Sequence, residues 1–175
     1  MANTSLSTYD PTLVTIVLER NGVSHIVTGV SEDQIVSIDR ADAWSESVGA
    51  YGNTTRIYNP VWDKADITIP LQQTSETNDI LEALFTTDIR ARNSDNLFSI
   101  TIKDNSGRSL HYGHEAYINR KPSAAYGPGM NTRDWVIRVN KLEDTLGGNS
   151  RVDSDLARTV EAFGGDPIAA RWIRG

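Results

Sequence analysis

His111 and His114 flank Tyr112-Gly113 and precede Glu115, a cluster whose residue types could hold a metal ion or move a proton. The two-histidine zinc pattern needs i, i+4 spacing on one helical face, whereas residues 110–119 read as a strand. Side chains three apart on a strand point to opposite faces, so surface or interface histidines are the expectation, and His25 in a hairpin return strand reads the same way. Nucleophilic catalysis has no better footing, because the chain lacks a Gly-x-Ser-x-Gly elbow. The acid pairs Glu32-Asp33 and Glu143-Asp144 are adjacent in sequence, so in extended structure their carboxylates diverge and form no acid/base couple. Tyr126-Gly127-Pro128-Gly129 lacks the strand-to-helix context of a phosphate-binding fingerprint and reads as a loop. With no cysteine there is no thiolate metal site and no disulfide framework, which suits a reducing cytoplasm. No catalytic residue, metal or cofactor is expected.

Positioning any of these side chains falls to strands. Residues 12–19 set Val14, Ile16 and Leu18 against Leu13, Thr15 and Val17, a β-branched run suited to a strand buried on both faces. Asn21-Gly22 follows; both residues accept the positive φ of a type I′ turn, so residues 24–28 should return antiparallel. Residues 34–40 and 43–48 read as two more strands joined at Arg40-Ala41-Asp42, with Asp39 and Glu46 on a wet face. Residues 64–73 alternate Ala65, Ile67, Ile69 and Leu71 against Asp66, Thr68, Pro70 and Gln72. Pro70 offers no ladder donor, so this strand should end or lie at an edge there.

One helix follows. Ser75 is its expected N-cap, Glu76 and Asp79 place negative charge in its first turn, and Ile80, Leu81, Leu84 and Phe85 make one apolar stripe to pack on the sheet. Residues 97–103 and 110–119 flank Asn105-Ser106-Gly107-Arg108, where Gly107 should supply the left-handed residue of a bulged hairpin. Residues 134–142 form the last strand, with Trp135, Ile137 and Val139 on one face. Residues 49–63, rich in Gly, Asn and aromatics (Tyr51, Tyr58, Trp62), read as a long loop. Gly147-Gly148-Asn149-Ser150 reads as a hinge between a β domain, 1–148, and an extension, 149–175. Within the extension, residues 153–163 predict a short amphipathic helix with Leu156, Val160 and Phe163 inward. The predicted fold is mainly β, a sandwich or barrel with one packed α-helix and a C-terminal extension.

A length of 175 residues and 38% hydrophobic content suit one modest core. The start has neither the basic nor the apolar run of a signal peptide, and no apolar stretch approaches the roughly 20 residues that cross a bilayer, so no membrane anchor is expected. Net charge is −6 without a Lys/Arg stripe, which disfavours stable nucleic-acid binding yet suits a wall past which DNA slides. The aromatics of 49–63 could stack bases, but with so little basic charge around them a protein contact fits better.

Three separated pieces appear in one order: Thr8-Tyr9-Asp10-Pro11, then Leu71 to Asp79 (LQQTSETND), then Thr132-Arg133-Asp134-Trp135-Val136-Ile137-Arg138. Together with Ile38-Asp39-Arg40-Ala41-Asp42-Ala43-Trp44, taken as a hairpin, and Lys103-Asp104-Asn105-Ser106-Gly107, they make residues 8–149 resemble tail tube proteins of contractile-tailed bacteriophages, in a short family opening on a Tyr-Asp-Pro strand. The resemblance implies a homo-hexameric ring, rings stacked into a tube, a surrounding tail sheath, a tape measure protein within, and baseplate and tail terminator proteins at the ends. DNA would transit the lumen without specific binding. It also implies a place in the virion tail after assembly in the host cytoplasm, and a structural rather than enzymatic role. The alternatives are the tube subunit of a related contractile injection or type VI secretion system, and a tail-associated hydrolase. Within that frame Asp39, Asp42, Glu46 and Asp66 are candidates to face the lumen. Tyr51, Tyr58 and Trp62 are candidates for ring stacking. Arg171, Trp172 and Ile173 are candidates for C-terminal docking, since Trp and Arg are enriched at interface centres.

Overall fold

The computed structural model describes residues 9–149 and 154–165. The chain enters through a 3-10 turn, Pro11–Leu13, in which the Asp10 carboxylate accepts the Thr12 N–H at 3.0 Å. Proline has its φ preset for such a turn and Asp10 caps it, so the Tyr-Asp-Pro opening is a capped turn and not the start of a strand. Strand β1, Val14–Arg20, buries Ile16 and Leu18 but only half-buries its other face, which corrects the expectation of two-sided burial. Asn21 and Gly22, at φ 53° and 76°, turn the chain into β2, Val23–Ile26.

Strand β3, Ser37–Arg40, and β4, Trp44–Val48, do not pair with each other as a hairpin would require. β4 pairs instead with β5, Thr54–Tyr58, inside the stretch expected to be a loop. β3 pairs with β6, Ala65–Gln72, whose Ala65, Ile67, Ile69 and Leu71 are all buried, as the alternation requires. Helix α1 is Thr77–Ala91 and the remaining strands are β7, Phe98–Asp104, β8, Leu110–Arg120, and β9, Thr132–Thr145. All but β4 and β5 join one antiparallel sheet in the order β2-β1-β7-β8-β9-β6-β3.

The sheet rolls until its ends meet on one side. Val30 bridges Leu71, the Ser31 N–H donates to the Pro70 carbonyl at 2.9 Å, and the Gln72 N–H donates to the Gly29 carbonyl at 2.7 Å. Chain leaving β2 thus lies along β6 just past Thr68, the last residue of β6 paired with β3. Pro70 pairs with Asp134 of β9 on one side and accepts from Ser31 on the other, and the strand runs on to Gln72, so the end or edge expected there is not found; the missing donor falls in the gap between the β3 ladder and the Val30 bridge. The rolled inner face holds Ile16, Leu18, Ile67, Ile100, Ile102, Ile137 and Val139 in one core, capped by Leu81 of α1. The N-cap position is Glu76, whose side chain makes no capping bond, and not Ser75 as expected; Ser75, one residue earlier, still accepts the Thr77 N–H at 3.2 Å, and Asn78 locks the helix start to the sheet by accepting from Trp135 Nε1 at 3.0 Å.

Two departures from simple pleating shape the long β8–β9 hairpin. Buried positions jump by three, from Gly113 to Ala116 on β8 and from Val139 to Leu142 on β9. Glu115 takes φ 50° at that kink, and its carboxylate accepts from Asn140 Nδ2 at 2.6 Å across the ladder. The kink also increases local twist, which a rolled sheet needs. At the β7–β8 turn Gly107 is not in the left-handed region expected of it. Its role is space: a Cβ there would meet Asn149 Oδ1 at 2.2 Å. Asn149 Nδ2 donates to Asp104 and Ser106, and Gly147 exchanges hydrogen bonds with Ser109, so the expected hinge is pinned to this turn at least as far as Asn149. Helix α2, Ser154–Ala162, forms as expected, but Leu156 is exposed and Phe163 just past the helix end is 89% exposed, so neither faces inward, contrary to expectation.

Candidate assembly surfaces

The β4–β5 ribbon presents the residues proposed for contacts between copies. Every residue of both strands is exposed. The Asn59 N–H donates to the Ala43 carbonyl at 2.9 Å, closing the ladder where the ribbon leaves the body. Trp44 stands edge-on to Tyr58 with ring centroids 5.5 Å apart, and the Arg56 guanidinium lies 3.9 Å from the Trp44 ring centre. An aromatic pair with a stacked cation makes a preformed contact patch, since such rings bury much area with few rotors to freeze. Tyr51 is fully exposed in the turn between the strands.

Trp62 behaves differently from Tyr51 and Tyr58. It lies in a 3-10 turn, Pro60–Asp63, and its ring is covered by the Arg40 guanidinium at 4.0 Å. Arg40 Nε donates to the Trp62 carbonyl at 3.0 Å, Nη2 donates to the Leu142 carbonyl at 3.1 Å, and Nη1 donates to Asp144 Oδ1 at 2.5 Å. One side chain therefore ties the ribbon's root to β3 and to the end of β9. Neither Arg40 nor Arg56 stands out in the sequence: Arg56 meets Trp44 only through β4–β5 pairing, and Arg40 meets Trp62 only where the 3-10 turn folds back on the end of β3.

The four acidic candidates separate into two groups. Asp39, Asp66, Arg138 and Tyr117 occupy one row across β3, β6, β9 and β8 on the face away from the core. Arg138 grips both oxygens of Asp66, Nε and Nη2 each at 2.7 Å, and that hydrogen-bonded carboxylate raises the guanidinium above its ordinary range. The row thus sets two neighbouring carboxylates against one cation, for a net charge of one negative. Asp42 lies in the β3–β4 link, where its carbonyl accepts from Asn59 Nδ2 at 3.0 Å, and Glu46 is on the ribbon opposite Arg56. Arg171, Trp172 and Ile173 lie outside the described residues.

The histidines and acid pairs are placed as extended structure requires. His114 packs edge-on to Tyr112 on one side of β8, while His111 faces the cleft on the other, near Asp144. Glu143 and Asp144 diverge, the first toward Lys141 and His114 and the second toward Arg40 and His111. Among the described residues no group of three or more His, Cys, Asp or Glu could hold a metal ion. Burial holds the His111 imidazole below its ordinary range; Asp144 opposes that shift and Arg40 adds to it.

A family model described as Bacteriophage PhiTE tail tube protein matches residues 6–147. The "Structural protein ORF10" of Pseudomonas phage KPP10 is 45% identical over 170 residues, spanning 95% of this chain and 97% of the relative. Among solved structures, a chain from the virion of a native gene transfer agent particle aligns with a TM-score of 0.52 at 10% identity, over 79% of this chain and all of that one. The tube-terminating cap of the anti-feeding prophage aligns with a TM-score of 0.50 at 15% identity, over 83% of this chain and 99% of that one. Those two share the fold. The family match and the phage relative go further and make this a structural protein of the virion tail, not an enzyme: the chain belongs to the Bacteriophage PhiTE tail tube protein family.

Proposed function

We propose that six copies of this chain close into a ring, that rings stack into a tube inside a contractile sheath, and that DNA leaves the capsid through its bore. The observation that carries this reading is the β4–β5 ribbon. An isolated two-stranded hairpin is marginal in water, and this one leaves Val48 and Tyr51 largely and Trp44, Ile57 and Tyr58 about half open to solvent. Such a patch finds its cover on another copy, and the ring above or below is the partner a stacked tube offers. Strands β2 and β3 leave the two edges of the sheet for neighbours within a ring.

The row holding Asp39 and Asp66 is assigned to the bore, with Asp42 and Glu46 toward its rims. With Arg138 paired to Asp66 the row keeps a modest net negative charge, which lets DNA slide without condensing on the wall. The tape measure protein would occupy the same bore before ejection, with tail terminator and baseplate proteins at the tube ends. The extension is taken to start near 148/149 with Asn149, its first residue, still held on the β7–β8 turn, and the segment containing Arg171, Trp172 and Ile173 docks on a neighbouring subunit or on the sheath.

Electron microscopy of the purified protein tests the assembly. Splicing residue 43 to residue 59 through two glycines should leave folded subunits or single rings and no tubes. Tubes of normal length from that variant would remove the ribbon from the account, and a wild-type protein that stays monomeric at high concentration would remove the ring.

A further inference from the structure

The rolled sheet is closed near Val30 and Leu71 but open at its other end, where Val14, Ile38 and Ile102 line a cleft of about 350 Å³ between β1, β3 and β7. Leu146, 83% exposed, stands at its margin, and Asp144 and Arg40 form its polar wall. His111 Nδ1 is buried in that wall with no hydrogen-bond partner, its distance to Asp144 Oδ2 being 3.7 Å. An apolar slot with one orphaned polar atom is unusual in a finished fold, because buried polar groups are nearly always paired. Its best complement is a large apolar side chain carrying a single donor.

We infer that this open seam receives Trp172 and Ile173 of a neighbouring copy, with the indole N–H of Trp172 donating to His111. The proposal rests on reading the C-terminal segment as a docking element and names the surface that element meets. Three observations favour this occupant. Tryptophan has one donor and no acceptor, which matches His111 Nδ1 in the tautomer that carries its proton on Nε2. Arg171 and Arg174 bracket the apolar pair, and the cleft holds two carboxylates, Asp104 and Asp144, against one cation, Arg40. The chain runs from Asn149, pinned beside this cleft, through α2 and then ten more residues of sequence, ample length to reach a second copy. Passed in one direction around a ring or from ring to ring, the contact is heterologous and serves closure or stacking.

Photocrosslinking from position 172 in the full-length protein tests this, using a benzophenone amino acid and an equal mixture of light and nitrogen-15-labelled chains. The expected product joins 172 of one chain to the Val36–Ile38 or Leu146 region of another, giving mixed-isotope peptide pairs. Leu146→Lys, at an exposed position the core does not need, should lower the yield roughly tenfold. Crosslinks confined to one chain, or falling elsewhere, overturn the seam as receiver. Truncation after Gly165 separates the two levels: if assembly weakens while the crosslinks miss the seam, docking stands and this assignment fails. If assembly and heat stability are unchanged by truncation, the docking reading itself is wrong.

Discussion

The seven-stranded sheet and the β4–β5 ribbon use the same antiparallel pairing, but only the sheet has something to cover. In β6 and β9 one side of each ladder lies against α1 and the rolled inner face, so Ile67 and Ile137 are fully buried. In the ribbon Ile57 sits on an equally regular ladder and stays half exposed. Pairing supplies geometry in both places; burial supplies stability in one. A strand pair whose apolar side chains cover little beyond one another is marginal by itself and gains most from cover by another copy, which is why the ribbon, and not the sheet, is the proposed assembly element.

Substituting the same residue type in both regions breaks the comparison most sharply. Ile137→Ala should cost the monomer about 2–5 kcal/mol, the usual range for truncating a fully buried aliphatic side chain. Ile57→Ala should change monomer stability by less than about 0.5 kcal/mol while weakening tube formation. Thermal melts of dilute protein and microscopy of concentrated protein check the two halves, and an equal loss of monomer stability from both variants would erase the distinction.

Next in size is Gly113→Ala. A Cβ at Gly113 would meet Val139 Cγ1 at 2.6 Å and Ile100 Cγ2 at 2.8 Å, so the core must shift at a cost of about 1–3 kcal/mol. Arg40→Met tests the joint between the regions: it removes the bonds to Trp62, Leu142 and Asp144 and the cover over the Trp62 ring. A loss of about 1–3 kcal/mol is expected, together with faster exchange of ribbon amides. If the ribbon's exchange is unchanged, the root is held by something other than Arg40.

The smallest effect is on pH. His111 is held below its ordinary pKa, so the native state resists the proton that the unfolded chain takes up. Its contribution is therefore complete above about 6.5, the unfolded value, and is lost as pH falls through the lower native one. Burial opposes the shift of Asp104, but bonds from the Ser106 hydroxyl and N–H, Asn149 and Gly107 outweigh it and hold the carboxyl below its ordinary range. That contribution has the same sign and disappears only below about 3.8. The melting temperature should fall slightly from pH 7.5 to 5.5 in wild type and stay flat in His111→Gln. A slope of equal size in the variant would assign the effect to another group.

What the sequence made legible divides along the same line. Asn21-Gly22, the 65–72 alternation and the stripe of α1 are local patterns whose physics lies within a few residues, and each is found where expected, while the helix cap falls one residue past Ser75. The β5 strand was hidden because Thr54-Thr55-Arg56-Ile57-Tyr58 has no apolar face to bury, so periodicity was silent although its residues favour strands. Arg138 on Asp66, Arg40 on Trp62 and Asn149 against Gly107 depend on register between distant strands or on chain that returns from afar. No spacing rule reports them. The positive φ of Glu115 is likewise a product of the sheet's roll and not of its neighbours in sequence.

Hydrogen–deuterium exchange of the β4 and β5 amides, measured on dilute subunits and on assembled tubes, tests the central claim directly. Fast exchange in the subunit with strong protection in the tube is the predicted result, while the β6 and β9 amides stay protected in both. Ribbon amides that exchange at the same rate in subunit and tube would contradict the claim that another copy completes this part of the fold.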